Sequence, residues 1–260
     1  MLSVRLPEAM EQDLTQYCAV RKLTKSQVVQ EALAEYLVAA QSPTGAKPAP
    51  EPDLSFLAAD DPIRQFIGIA KDGMSTDELD AIAAANIKRG GGISNFKGYH
   101  GFPATICVSV NEEIVHGIGS SRRIAYGDVV KMDVGIIRDG WIGDTATSVP
   151  VGIVEPETER LLTITQQILD GAVSLARPGN RVGDISNYVE TEAVKHGFSV
   201  VREFVGHGVG RQLHEEPQVP NFGKRGSGPK LKSGMTIAIE PMINLGKAKV
   251  KILADKWTAV

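Results

Sequence analysis

Cysteine is scarce in this chain: Cys18 and Cys107 are the two among 260 residues. They lie far apart and cannot build a disulfide framework, so a reducing cytoplasm is the simplest expectation. Aromatic residues make up only 5% of the chain. No apolar run is long enough to span a bilayer. Charge of one sign is also lacking. The formal net charge of -3 gives no global attraction to nucleic acid or an anionic membrane. The N-terminus, MLSVRLPEAMEQDL, is too acidic and too poor in apolar residues for a secretory signal. What is plentiful is glycine, 27 residues, with 14 prolines. So many turn formers fit a strand-rich α+β chain. The length suits one large domain, or a medium domain with a small one.

The first forty residues read as a separate unit. Leu2, Val4 and Leu6 alternate with Ser3 and Arg5, the period of a short strand. Pro7 opens a helical stretch with Met10, Leu14, Tyr17 and Cys18 at helical spacing. Thr24 or Ser26 caps a second helix with Val28, Val29, Ala32, Leu33, Tyr36 and Leu37 on its apolar face. So short a unit cannot bury a core alone and needs a partner. The order strand, helix, capped helix, carried by RLPEAM and LTKSQVVQEALAEYL, resembles the ribbon-helix-helix family of dimeric DNA-binding proteins. That resemblance implies that residues 1–40 dimerise, with Ser3 and Arg5 facing bases if DNA is bound. The segment holds four basic and five acidic residues, a balance that favours dimerisation without DNA.

Residues 41–62, rich in Pro, Ala and acids, read as a linker, and 63–260 as the main domain. Ser75-Thr76-Asp77-Glu78 caps a helix reaching about Arg89, where Gly90, Gly91 and Gly92 end it. Strands follow at Ala104–Val110, Asp128–Ile137 and Trp141–Val151, helices at about Pro156–Leu175 and Val182–His196, and an apolar strand at Met235–Glu240.

The residues that carry chemistry are histidines and acids. Four of the five histidines, His100, His116, His196 and His207, precede glycine, and His214 precedes Glu215-Glu216-Pro217. His196 ends a predicted helix, where a cation suits the dipole, and it reads as structural. Asp139-Gly140 is a hairpin signal. A two-residue turn there sets Arg138 against Trp141 and Asp144 against Gly135. Asp133 and Asp144 then share a sheet face as diagonal neighbours, about 7–8 Å apart at the backbone. Lys131 shares that face, and a solvated outer face is the alternative. Glu240 ends an apolar strand, and His207 sits among glycines. Two aspartates, a glutamate and an imidazole suit Mn, Co, Fe or Zn in a hydrolytic site.

The segments GYHGFPATICVSVNEEIVHGIG, GDVVKMDVG, GWIGDTATSVPVG, GHGVGRQLHEEPQV and GMTIAIEPMIN stand in that order. Together they resemble type I methionine aminopeptidases from about Met74 to Val260. The resemblance implies an α+β pita-bread fold around two divalent metal ions, and removal of the N-terminal methionine from peptides and nascent chains. Carried over, Asp133, Asp144, His207 and Glu240 match metal ligands, and His116 and His214 match histidines that act on the substrate. Tyr99, Phe102, Cys107 and Trp257 match the wall of the methionine pocket, with His100 at its edge. The family pattern has a fifth ligand, a glutamate about thirty residues beyond Glu240, and this sequence ends at Val260. The expectation is therefore a catalytic domain truncated at the C-terminus, a site holding one or two cations, and low activity. Two rivals stand beside this reading. One is a peptidase of the same fold acting at proline. The other is a non-catalytic regulator that binds DNA or a partner and keeps an incomplete peptidase domain.

Residues 1–40 generate a first prediction. The isolated segment sediments as a dimer, checked by analytical ultracentrifugation, and Arg5→Ala abolishes whatever DNA binding it has. A folded monomer contradicts the pairing argument.

Overall fold

A computed structural model describes residues 8–25, 28 and 70–260. Helix α1 spans Glu8–Arg21, within the helical stretch expected after Pro7. Cys18 is buried in it, and Arg21 Nη2 reaches Glu159 Oε2 at 2.8 Å. The expected strand at residues 2–6, most of the second helix and the linker at 41–62 lie outside the described residues.

The first half of the main domain is one helix on one antiparallel sheet. Helix α2, Thr76–Arg89, starts as the sequence requires, with the Ser75 amide donating to Glu78 Oε2 at 2.7 Å. Its buried residues Leu79, Ala83 and Ile87 recur every four positions and face the core. The sheet contains β1 (Ile93–Ser94), β2 (Cys107–Val110), β3 (Val129–Arg138) and β4 (Trp141–Pro150). β3 is central: β4 pairs along it from Val129 to Arg138, while β1 and β2 also pair with it. Asp139 and Gly140 both take positive φ, as the tight turn demands. Gly135 lies opposite Asp144 and Arg138 opposite Trp141, the register expected from the Asp-Gly signal.

The inner face packs Ile106, Val108, Val110, Val130, Met132 and Val134 against Leu79, Ala83 and Ile87 of α2. Asp80 of α2 fixes the approach to β2, accepting from the Thr105 and Ile106 amides at 2.7 and 2.9 Å. β2 therefore begins at Cys107, not Ala104: the segment before it is held by a side chain in place of a neighbouring strand.

The second half repeats the scheme with two helices. α3, Pro156–Ser174, and α4, Val182–Lys195, follow the expected spans closely. They pack Ile168, Ala172, Ile185, Val189 and Ala193 with Phe198, Val200 and Val219. β6 (Val205–Gly208) runs between β7 (Glu215–Pro220) and β8 (Ile237–Ala238), and β5 (Ser199–Val200) pairs with β9 (Ile243–Asn244). The strand expected over Met235–Glu240 shrinks to Ile237–Ala238, paired with Gly208 and His207 of β6, and the Thr236 carbonyl before it accepts from the Val209 amide at 3.1 Å.

A third cluster joins the halves. Phe96, Phe102, Ala104 and Cys107 from the first pack with Leu213 from the second, and Tyr99 and Trp257 lie against them. Within it, a side chain added at Gly135 would collide with the Phe96 ring. Gly135→Ala should cost about 1–3 kcal/mol through this overpacking, measured by urea denaturation. An unchanged midpoint would show that Phe96 moves aside freely.

Candidate metal and peptidase site

Four of the sequence-selected residues meet at the seam between the halves. Asp133 lies on β3, Asp144 on β4, His207 on β6, and Glu240 two residues past β8. The hairpin register puts the two aspartates on one face of the first sheet. In the second sheet His207 pairs with Ala238, so Glu240 follows two residues along. His207 Nε2 lies 3.5 Å from Asp144 Oδ2 and 3.3 Å from Glu240 Oε1.

His207 is aimed by its other nitrogen. Nδ1 is 2.8 Å from the Gly208 carbonyl oxygen, which can only accept, so Nδ1 donates and Nε2 faces the carboxylates. Gly208 makes this strand possible, since a side chain there would meet the Glu216 carbonyl. Burial pulls the His207 pKa down. The hydrogen bond to Asp144, that to Gly208, and the charges of Glu240 and Asp144 outweigh it, leaving the value raised.

The carboxyls are strained electrostatically. Asp133 is held well above the usual range, by burial first and then by the charges of Asp144 and Glu240. Glu240 is raised to about 7 by burial and by Asp144, with His207 opposing. Cys107, opposite Asp133 on β2, has its thiol pushed up by burial and by the Asp133 charge.

The four donors face one another. Among the described residues no group of three or more His, Cys, Asp or Glu is arranged to hold a metal ion as it stands. Their chemistry nonetheless fits one. Asp133 Oδ1 and Glu240 Oε1 are buried without a hydrogen-bond partner, a costly condition for carboxylate oxygens. Three carboxylates and one imidazole with a correctly aimed Nε2 are the donors that hard-to-borderline divalent cations take.

Around them lies a cavity of about 760 Å³. Tyr99, Phe102, Cys107 and Trp257 line it, as do His116 and His214. Phe102 and Trp257 meet edge to face, with centroids 5.1 Å apart. His116 has φ 60° and packs edge-on against Phe204 at 5.0 Å. Its loop is pinned by residues near the end of the chain: the Ile114 amide donates to the Ala259 carbonyl at 2.7 Å, and the Ala259 amide to Val115 at 3.1 Å. Burial, then His214, lowers the His116 pKa, and burial, then His207, lowers that of His214. Tyr99 Oη lies 2.8 Å from His214 Nδ1.

His100 is not in the cavity lining but stands beside it, packing edge-on against Tyr99 at 4.4 Å and acting electrostatically on His214. It takes φ 48° in the tight turn Tyr99–Gly101. His196 lies at the end of α4, at its C-cap. Sequence reasoning missed Phe96, Phe204, Leu213 and Met242 in the lining, and Arg211 at the rim. Arg211 stacks on Trp141 at 3.9 Å and donates to the Gly140 carbonyl at 2.8 Å, tying the hairpin tip to the second half. Arg211 lies inside the quoted GHGVGRQLHEEPQV segment, but nothing in its spacing marks a contact with the hairpin tip.

Two α+β halves closing on an acid-and-histidine cavity define a metallopeptidase architecture. The pattern of metallopeptidase family M24 matches residues 57–257. Methionine aminopeptidase 1 of Bacillus subtilis (strain 168) is 50% identical over 190 residues, covering 73% of this chain and 77% of that protein. The crystal structure of a methionine aminopeptidase from Thermotoga maritima superposes with a TM-score of 0.75 at 38% identity, covering 76% of this chain and 80% of that one. A prolidase from Pyrococcus horikoshii OT3 shares the fold, with a TM-score of 0.58 at 22% identity over 69% of this chain and 50% of that one. The chain belongs to metallopeptidase family M24, among its methionine aminopeptidases.

The raised carboxyl values have a consequence for stability. Between 4.5 and about 7 the folded chain keeps a proton on Glu240 that the unfolded chain has released. Stability contributed by this group is thus present at low pH and lost as pH rises through that window. The Glu240 side chain is 34% exposed, so solvent softens the effect. In EDTA-treated chain, the melting temperature should fall from about pH 5 to about pH 8. Manganese should restore it most at the upper end. A melting temperature that rises with pH would contradict the assignment.

Proposed function

We propose that this chain hydrolyses the first peptide bond of peptides and nascent proteins that begin with methionine. The observation that carries the reading is the convergence of three carboxylates and His207 in a cavity with aromatic walls, with two buried carboxylate oxygens that accept no hydrogen bond. Asp133, Asp144, His207 and Glu240 would hold one or two divalent cations of the Mn, Co, Fe or Zn kind. Bound there, the cations supply positive charge that polarises the scissile carbonyl and a water nucleophile.

The chain's own residues do the rest. Tyr99, Phe102, Cys107 and Trp257 take up the methionine side chain and exclude water from it. The similarity to methionine aminopeptidases supports exopeptidase action, with the terminal residue's side chain in this pocket. His214, kept neutral by its surroundings, donates a hydrogen bond to the carbonyl oxygen as charge develops on it. His116, also neutral, holds the scissile amide nitrogen. For the N-terminal segment the reading is a dimerisation module of ribbon-helix-helix type, supported by α1 and by the sequence pattern before and after it. A cytoplasmic setting suits this substrate, and two cysteines that are both free are compatible with it.

A panel of Met-Ala-Ser, Met-Pro and X-Pro peptides with manganese or cobalt tests the reading. Met-Ala-Ser should be cleaved and X-Pro spared. Asp144→Asn should weaken metal uptake by calorimetry and lower Met-Ala-Ser turnover by about 100-fold or more, the scale of a lost transition-state charge. Cleavage of X-Pro alone would favour the proline-directed relatives. Neither cleavage nor metal uptake would favour a non-catalytic regulator.

A further inference from the structure

We propose that Tyr99 is a positioning residue: its hydroxyl donates to His214 Nδ1 and locks His214 in the tautomer that carries its proton on Nε2. The proposal rests on the reading of His214 as donor to the substrate carbonyl, and adds how that donor is prepared.

The contact is short, 2.8 Å from Tyr99 Oη to His214 Nδ1, and both residues line the cavity. A neutral imidazole has one N–H and one bare nitrogen. A phenol's lone pairs are drawn into its ring, which makes it a better donor than acceptor, and a bare sp² nitrogen is the stronger acceptor. Donation from Tyr99 therefore requires a bare Nδ1, and the proton resides on Nε2. That leaves Nε2 as the nitrogen able to donate to a ligand. In the other tautomer a lone pair on Nε2 would face the lone pairs of a carbonyl oxygen, repelling the charge that develops there.

The partners are held from both sides. Tyr99 is fixed by its turn, its amide donating to the Phe96 carbonyl and its carbonyl accepting from the Phe102 amide, each at 2.9 Å. His100 packs edge-on against the Tyr99 ring at 4.4 Å. The His214 ring rests against His207, centroids 4.3 Å apart. The lock also spans the seam, since Tyr99 precedes β2 of the first half and His214 precedes β7 of the second. It forms only when the halves are closed together. This gives His100 a place as well: it buttresses the residue that sets the donor, without lining the pocket.

The test is nitrogen-15 NMR on the full chain with labelled histidine and zinc present, His214 being assigned by its loss in His214→Gln. The expected wild-type signature is a protonated Nε2 and a bare Nδ1. In Tyr99→Phe the His214 signals should move toward a mixture of tautomers. In the same variant kcat for Met-Ala-Ser should fall about tenfold, as for one lost hydrogen bond. KM should hold, because the phenyl ring keeps the pocket wall. A purely structural role for Tyr99 would not change the tautomer. Wild-type chain with its proton on Nδ1 overturns the proposal by itself, even if the variant fails to fold. An unaltered tautomer in folded Tyr99→Phe also overturns it, while leaving the role of His214 standing. Undiminished kcat in His214→Ala, which leaves no side-chain donor, would instead remove that role and, with it, the purpose of the lock.

Discussion

Crowding of like charge sets the terms for this fold. Asp133, Asp144 and Glu240 are drawn toward one another where water is scarce, with one imidazole to offset them. Left to themselves such groups would separate or protonate. They stay because each is fixed by backbone that has little freedom to retreat. Asp133 is on the central strand of a sheet, paired with β2 on one side and β4 on the other. His207 is on the central strand of the second sheet, between β7 and β8. The cost of the cluster is therefore carried by two apolar cores, each anchored by helices, and not by polar contacts within the site. Strain of this kind is what a bound cation relieves, and a site under such strain favours the cation more than a relaxed one would.

The same argument explains where the halves touch. Each half has its own core, one built on α2 and the other on α3 and α4. Those cores could hold two separate lobes. What closes them is a smaller set: Leu213 among Phe96, Phe102 and Cys107, Arg211 on Trp141, and Tyr99 on His214. All of these lie near the cavity, so the closure and the site depend on the same contacts. An exposed cation–aromatic stack contributes only about 0.5–1 kcal/mol. The apolar cluster must therefore provide most of the closure, with the polar contacts fixing its geometry.

The sequence exposed those parts of the site that rest on local rules. The hairpin is the clearest case. Asp139-Gly140 demands a two-residue turn, a turn fixes register, and register places Asp144 opposite Gly135. Helix α2 was legible for a similar reason, through its cap at Ser75 and Glu78 and the three glycines after Arg89 that end it. What was hidden depends on distant packing. Phe96 and Phe204 enter the cavity from loops, and no short-range pattern marks them. His100 stands beside the pocket, next to the lining residue Tyr99, but its positive φ and its packing on that ring follow from no short-range pattern. The strand over Met235–Glu240 looked long because its apolar pattern is long, yet a strand extends only as far as its pairing, and here only Ile237 and Ala238 pair with β6.

Specificity and stability are coupled here. The shared fold extends to a prolidase at 22% identity, so the architecture alone does not choose the substrate. On the function proposed above, the choice falls to the pocket wall, and in this chain the wall is not a surface feature. Phe96, Phe102, Cys107 and Leu213 line the cavity and are also buried members of the cluster that joins the halves. Widening the pocket to admit another side chain means removing buried atoms from that cluster, at about 2–5 kcal/mol for a large-to-small change. Filling it for a smaller residue means overpacking the same atoms against Gly135 and Trp257. Either route loosens the contact between halves and so disturbs the approach of His207 and Glu240 to Asp133 and Asp144. A change of substrate in this architecture therefore needs compensating change in the second half, and the identity of the first residue is protected by the cores that hold the acids together.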